Sequence, residues 1–96
     1  GVIVKSKDTK ELRTLDVLGA FIFVGRDVLN QTLIQKDGSF LCDVNESGEV
    51  IVDLKMRTNI SGLFAAGDIR IDAPKQVVCA AGDGAIAGIG AIAHLQ

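Results

Sequence analysis

Thr58-Asn59-Ile60-Ser61-Gly62-Leu63-Phe64-Ala65-Ala66-Gly67-Asp68 is the stretch on which the reading of this chain turns. Leu63–Ala66 is a short apolar run that reads as a buried strand, and it ends on a glycine. With no Cβ, Gly67 allows the backbone to come close to a ligand. The residue after it is a carboxylate. At the end of a strand, Asp68 can accept hydrogen bonds from ribose or ribityl hydroxyls. A few residues on, at Lys75-Gln76-Val77, a helix is predicted to start. Free N–H groups and the positive end of the helix dipole would favour negative charge there.

That helix is predicted from Gln76 to about Leu95, a segment rich in Ala and Ile with no proline, and Pro74 just ahead suits a helix start. Each of its glycines at 82, 84, 88 and 90 costs roughly 1 kcal/mol relative to alanine. Ala80, Gly84 and Gly88 recur every four residues, so a neighbouring backbone or cofactor is expected close along that face. Asp83 interrupts the apolar run, which reads as too short for a membrane span.

The first half reads as strands and turns. Gly1–Lys7 and Glu11–Leu15 alternate around Asp8-Thr9-Lys10, as a β-hairpin would. Ala20–Val24 is continuously apolar between Gly19 and Gly25, which suits a strand buried on both faces. Asp27–Gln35 could hold one helical turn. Phe40–Val44 and Val50–Leu54, joined by Asn45-Glu46-Ser47-Gly48, read as a second hairpin. No internal repeat is evident. Strands followed by one helix leave sheet edges and a face uncovered, so the chain looks like part of a larger α/β layer structure.

Thr58–Asp68 resembles the second flavin motif of the two-dinucleotide-fold disulfide oxidoreductases, T-x-x-x-G-Φ-Φ-A-x-G-D with Φ apolar. The run Ala73-Pro74-Lys75-Gln76-Val77-Val78-Cys79-Ala80-Ala81-Gly82-Asp83-Gly84-Ala85-Ile86-Ala87 resembles the helix start that follows this motif in bacterial thioredoxin reductases. The resemblance covers the whole chain. It implies an α/β fold: an incomplete flavin-binding two-dinucleotide-fold domain, mostly strands and hairpins with one carboxy-terminal helix. Residues 1–15 would be the closing hairpin of a nicotinamide-binding domain, and residues 16–96 the carboxy-terminal part of the FAD-binding domain. The family usually follows the returning strand with a proline-containing turn. Gly25-Arg26-Asp27-Val28-Leu29-Asn30 lacks that proline, and no function is assigned to Arg26.

The resemblance also implies roles. Gly67 would let the backbone approach the linker of FAD, and Asp68 would accept from a ribityl hydroxyl. Gln76 and the N–H of Val77 would face the pyrimidine edge of the isoalloxazine ring, with Lys75 as a further candidate. The intact protein would use NADPH and FAD to reduce the disulfide of a thioredoxin-like partner, as a cytoplasmic homodimer. The alternatives are a stand-alone module that completes a flavin site by association, or part of a related flavoenzyme with another acceptor, such as ferredoxin or a peroxidase partner.

Several classes are excluded on composition and motifs. A net charge of −2 argues against a nucleic-acid or anionic-membrane partner. No G-x-G-x-x-G opens a helix after a strand, so neither phosphate-cradling loop is expected; Gly82-Asp83-Gly84 lies within the predicted helix. Cys42 and Cys79 make no C-x-x-C and no metal-ligand spacing, and read as small, reduced, buried apolar residues. His94 reads as a structural residue at the helix end. The first residue is Gly, not Met, so position 1 need not be a native start. The segment alone is expected to be inactive.

Overall fold

The computed structural model describes residues 1–96. Its radius of gyration is 19.4 Å, where a compact chain of this length would have roughly 12–13 Å. Three parts in succession produce that extent. They are an amino-terminal hairpin, a strip of turns and a carboxy-terminal helix.

β1 (Val2–Lys5) pairs antiparallel with β2 (Leu12–Leu15), with Val2 opposite Leu15 and Lys5 opposite Leu12. β-branched Val2, Ile3 and Val4 favour the pleated conformation. The connection is closed by Ser6 N–H to Glu11 O at 2.9 Å and by Lys10 N–H to Ser6 O at 3.2 Å. The predicted first hairpin is thus present.

The predicted strand at Ala20–Val24 is extended but unpaired. No backbone–backbone hydrogen bond involves residues 17–27, and Phe21 is 91% exposed. The rings of Phe21 and Phe23 stack on one side at 6.3 Å, as period-2 geometry requires. The physical reason is non-local: an apolar strand becomes a buried strand only when neighbours supply its ladder, and this chain holds none for it. The expected helical turn appears as one 3-10 turn at Gln31–Leu33.

From Asp37 to Gly62 the chain is stitched by side chains rather than ladders. Asp37 accepts from Ser39 N–H (3.0 Å), Asn45 from Ser47 N–H (3.0 Å) and Asp53 from Lys55 N–H (2.9 Å). Thr58 Oγ1 accepts from Ile60 N–H at 3.1 Å and donates to Leu63 O at 2.9 Å. In each, a short polar residue captures the N–H two residues on, which mimics a backbone turn. The first three fall eight residues apart, a periodicity that the flanking apolar runs mask in the sequence. The predicted second hairpin is reduced to a bridge, Val44 opposite Val50, and the Leu63–Ala66 strand to a bridge between Arg57 and Phe64. Tight turns at this spacing leave no length for longer ladders.

Cys42, Val50 and Met56 form the small apolar core, with Val50 fully enclosed. Cys42 is buried as expected, and burial pushes its thiol pKa up. Cys79 is only half-buried.

α1 (Val77–Leu95) begins one residue later than predicted and packs on the strip of turns, touching neither strand of the hairpin. Its glycines behave differently from expectation. A Cβ at Gly82, Gly84 or Gly88 would meet nothing within 4 Å, so no neighbour from this chain lies along the Ala80–Gly84–Gly88 line beyond Ala80 itself. The close approach is at Gly90, where a Cβ would stand 2.8 Å from Phe64 Cε1. The length expectation also changes. α1 has 19 residues with mean hydropathy 1.5, long and apolar enough by those criteria to cross a membrane. The buried Asp83 on its packed face ties it to the turns instead.

Candidate functional site

The turn at Gly67 is built from three sides. Val50 N–H donates to Ile69 O (2.9 Å) and Ile71 N–H to Val50 O (2.8 Å), which fixes the far limb. Arg70 N–H closes the turn on Gly67 O at 3.2 Å. From α1, the Asp83 carboxylate accepts Gly67 N–H at 3.0 Å and two nitrogens of the Arg70 guanidinium, Nε at 2.6 Å and Nη2 at 3.0 Å. Gly67 is buried with φ +86°, a conformation that favours glycine. The Cβ of Ala80 lies 3.5 Å from where a Gly67 Cβ would be, so the helix closes over the turn.

The turn presents Asp68 outward. Its side chain is 59% exposed, and its nearest cation is Arg26 Nη1 at 3.8 Å. The same Arg26 nitrogen donates to Lys75 O at 3.4 Å. Lys75 has φ +62°, and its Nζ pairs with Glu49 Oε2 at 3.2 Å. Asp68, Lys75, Arg26, Ser47 and Glu49 share the walls of a cleft of about 230 Å³.

Gln76 and Val77 lie outside that cleft, at the start of α1. Gln76 occupies the N-cap position in extended conformation, and its side chain makes no capping bond. The first satisfied amide is Ala80 N–H, to Gln76 O at 3.0 Å. The N–H groups of Val77, Val78 and Cys79 therefore have no backbone acceptor, the usual condition of a helix start. Exposed carboxylate and open amides form a donor and acceptor set suited to a polar ligand with hydroxyls and an electron-rich edge. That chemistry fits a flavin.

Sequence reasoning missed Arg70, Asp83, Glu49 and Arg26. For Asp83 a signal was available: a lone carboxylate in an apolar helix is expensive unless paired. A larger cleft of about 540 Å³ lies between the turns at Asp53–Phe64 and the helix end at His94. No buried side-chain polar atom is left unpartnered anywhere in the chain. His94 stands in the last turn of α1, at the negative end of the helix dipole.

The Arg70 guanidinium, hydrogen-bonded to Asp83, holds that carboxyl below its ordinary pKa of 3.8; the Gly67 N–H adds to this, and burial opposes it. Glu49 is lowered likewise, first by Asn45 and then by Lys75. A carboxylate with a depressed folded-state pKa adds stability that is complete above its unfolded pKa and lost as pH falls through the folded value. The urea midpoint of the chain should hold level from neutrality to about pH 5 and fall below about pH 4. A midpoint that rises on acidification would contradict this.

Residues 1–84 match the family described as Pyridine nucleotide-disulphide oxidoreductase. The chain is 57% identical over 93 residues to the thioredoxin reductase of Helicobacter pylori (strain J99), covering 97% of this chain and 30% of that protein. It is 36% identical over 95 residues to a subunit of the alkyl hydroperoxide reductase of Pseudomonas aeruginosa, covering 99% of this chain and 17% of that one. Among solved structures, it is similar to Lactococcus lactis thioredoxin reductase, with TM-score 0.76, 37% identity and 96% of this chain against 29% of that one. The thioredoxin reductase of T. acidophilum gives TM-score 0.77 at 33% identity, with 97% and 29% covered. The chain thus spans less than a third of the length of these relatives.

Proposed function

The chain belongs to the pyridine nucleotide-disulphide oxidoreductase family, and from that premise we propose that it is the carboxy-terminal part of a thioredoxin-reductase-like flavoprotein. Residues 1–15 close a nicotinamide-binding domain, and residues 16–96 supply part of the FAD-binding domain. The intact protein passes electrons from NADPH to the disulfide of a thioredoxin-like partner, as a cytoplasmic homodimer. Bound FAD supplies the two-electron carrier between them.

The residues of this chain bind and orient. Gly67 gives the backbone close access to the cofactor, and Asp68 accepts from a ribityl hydroxyl. Lys75, held by Glu49, shapes the rim of the cleft beside Asp68. Gln76 and the N–H of Val77 meet the pyrimidine edge of the ring. The open helix start favours negative charge there by roughly 0.3–2 kcal/mol.

The observation that carries this reading is the exposed Asp68 carboxylate, offered by a clamped Gly67 turn, in a chain 57% identical to a thioredoxin reductase. A second reading has one observation in its favour. The similarity to part of an alkyl hydroperoxide reductase suggests a related flavoenzyme serving a peroxidase partner. The higher identity favours the first.

The test compares two polypeptides in NADPH-dependent reduction of a thioredoxin disulfide. The full-length chain that carries this segment should bind FAD and turn over. The 96-residue chain alone should not, and its FAD affinity should be weaker than micromolar, since the pyrophosphate loop is missing from it. Turnover by the isolated segment, or a full-length chain without flavin, would overturn the proposal.

A further inference from the structure

Asp83 is the one charged residue enclosed in this chain, and its geometry goes beyond pairing. A single oxygen, Oδ2, accepts from Gly67 N–H at 3.0 Å and from Arg70 Nε at 2.6 Å, while Oδ1 accepts from Arg70 Nη2 at 3.0 Å. Both partners bracket Asp68. Gly67 precedes it, and Arg70 closes the turn that contains it. Arg70 Nη1 also donates to Ile71 O at 2.9 Å, so the guanidinium is aligned along the backbone it anchors.

We infer that Asp83, with Arg70, is a positioning residue for Asp68: its Oδ2 locks the Gly67 turn in the conformation that aims the Asp68 carboxylate out of the chain. A glycine at φ +86° has many other conformations open to it. Without an acceptor on its N–H, the turn can rotate and carry Asp68 with it. Val50 holds the limb after Asp68, through Ile69 and Ile71, and Met56 O holds the limb before it as far as Ala65 N–H; at Gly67 itself the N–H has Asp83 as its acceptor. The ion pair and the Gly67 contact are therefore separable jobs of one side chain. The first ties α1 to the turns, and the second sets the direction of Asp68.

This inference rests on the flavin reading, and variants can separate the two. Asp83→Asn can keep an oxygen at the Oδ2 place for Gly67 N–H while weakening the pair with Arg70. Asp83→Ala removes both. Met56→Ala, in the core beneath the turns, leaves both partners of Asp83 in place and destabilises the chain as a whole. In the full-length flavoprotein, two readouts apply: FAD dissociation constant with the visible circular dichroism of the bound flavin, and amide hydrogen exchange at Gly67. Asp83→Ala should weaken FAD by about 10-fold or more, change the visible dichroism and speed Gly67 exchange at least about 10-fold. Asp83→Asn should stay within about 3-fold of the parent in both, and Met56→Ala within about 3-fold in FAD affinity, with any rise in its exchange shared by all the turn amides rather than confined to Gly67.

Wild-type affinity and dichroism in Asp83→Ala would overturn the inference. So would equal losses in Asp83→Ala and Met56→Ala, which would mark a role in stability only. If the full-length chain carries no flavin, the functional reading fails. The positioning claim is then decided by Gly67 exchange alone: unchanged exchange in Asp83→Ala defeats it, and a rise at Gly67 beyond that of the other turn amides, in that variant only, upholds it.

Discussion

Asp68→Ala in the full-length chain should weaken FAD binding by at least about 10-fold, because a hydrogen bond to a charged group contributes about 1.5–3 kcal/mol. The side chain is 59% exposed, and its only charged neighbour is Arg26 at 3.8 Å. Removing it leaves no buried partner stranded, so stability should change little. That combination, affinity lost and stability kept, is the signature of a ligand contact. Fluorescence titration of FAD and a urea melt on the same variant check it. Equal affinity in the two proteins would remove Asp68 from the site.

The second large effect concerns the core. Met56 is buried with φ +61°, and its carbonyl accepts Ala65 N–H at 3.0 Å, which brings the Leu63–Ala66 limb under the helix. Only Cys42 and Val50 share that apolar interior. Truncation to alanine should cost about 2–3 kcal/mol, from lost transfer free energy and a cavity the tight turns cannot collapse. Met56→Leu should cost less than about 1.5 kcal/mol. Urea denaturation of the full-length chain checks both. A Met56→Ala change within about 0.5 kcal/mol would show that this small core does not hold the turns together.

How far the sequence was readable depended on the range of each interaction. α1 was legible to within one residue, because Ala-rich composition and the absence of proline act locally. The first hairpin was legible for the same reason: alternation and a polar turn lie close together between Val2 and Leu15. The turns at Asp37, Asn45 and Asp53 were also local, each a side chain bonding the N–H two residues on. They nonetheless read as a hairpin because apolar runs flank them.

The failures lie on long-range links. Ala20–Val24 has the continuous apolar run of a buried strand, yet a strand needs a ladder that another part of the polypeptide must supply. Asp83 and Arg70 meet across 13 residues and a change of direction, which no local pattern encodes. The glycines at 82, 84 and 88 suggested a close neighbour, and the close contact fell instead at Gly90, where the Phe64 ring meets the helix.

The Gly67–Asp68 turn was legible as a motif, but the sequence did not show what holds it. The structure adds the clamp: Val50 on one limb, Asp83 on the other, and α1 closing over Gly67 through Ala80. The function proposed for it, one wall of a flavin pocket, has a direct measurement: the distance from the Asp68 carboxylate to the ribityl oxygens in a crystal structure of the flavin-loaded full-length chain. A hydrogen bond of about 2.5–3.0 Å is expected there. A ribityl chain bound elsewhere, with Asp68 still facing solvent or Arg26, would contradict that function.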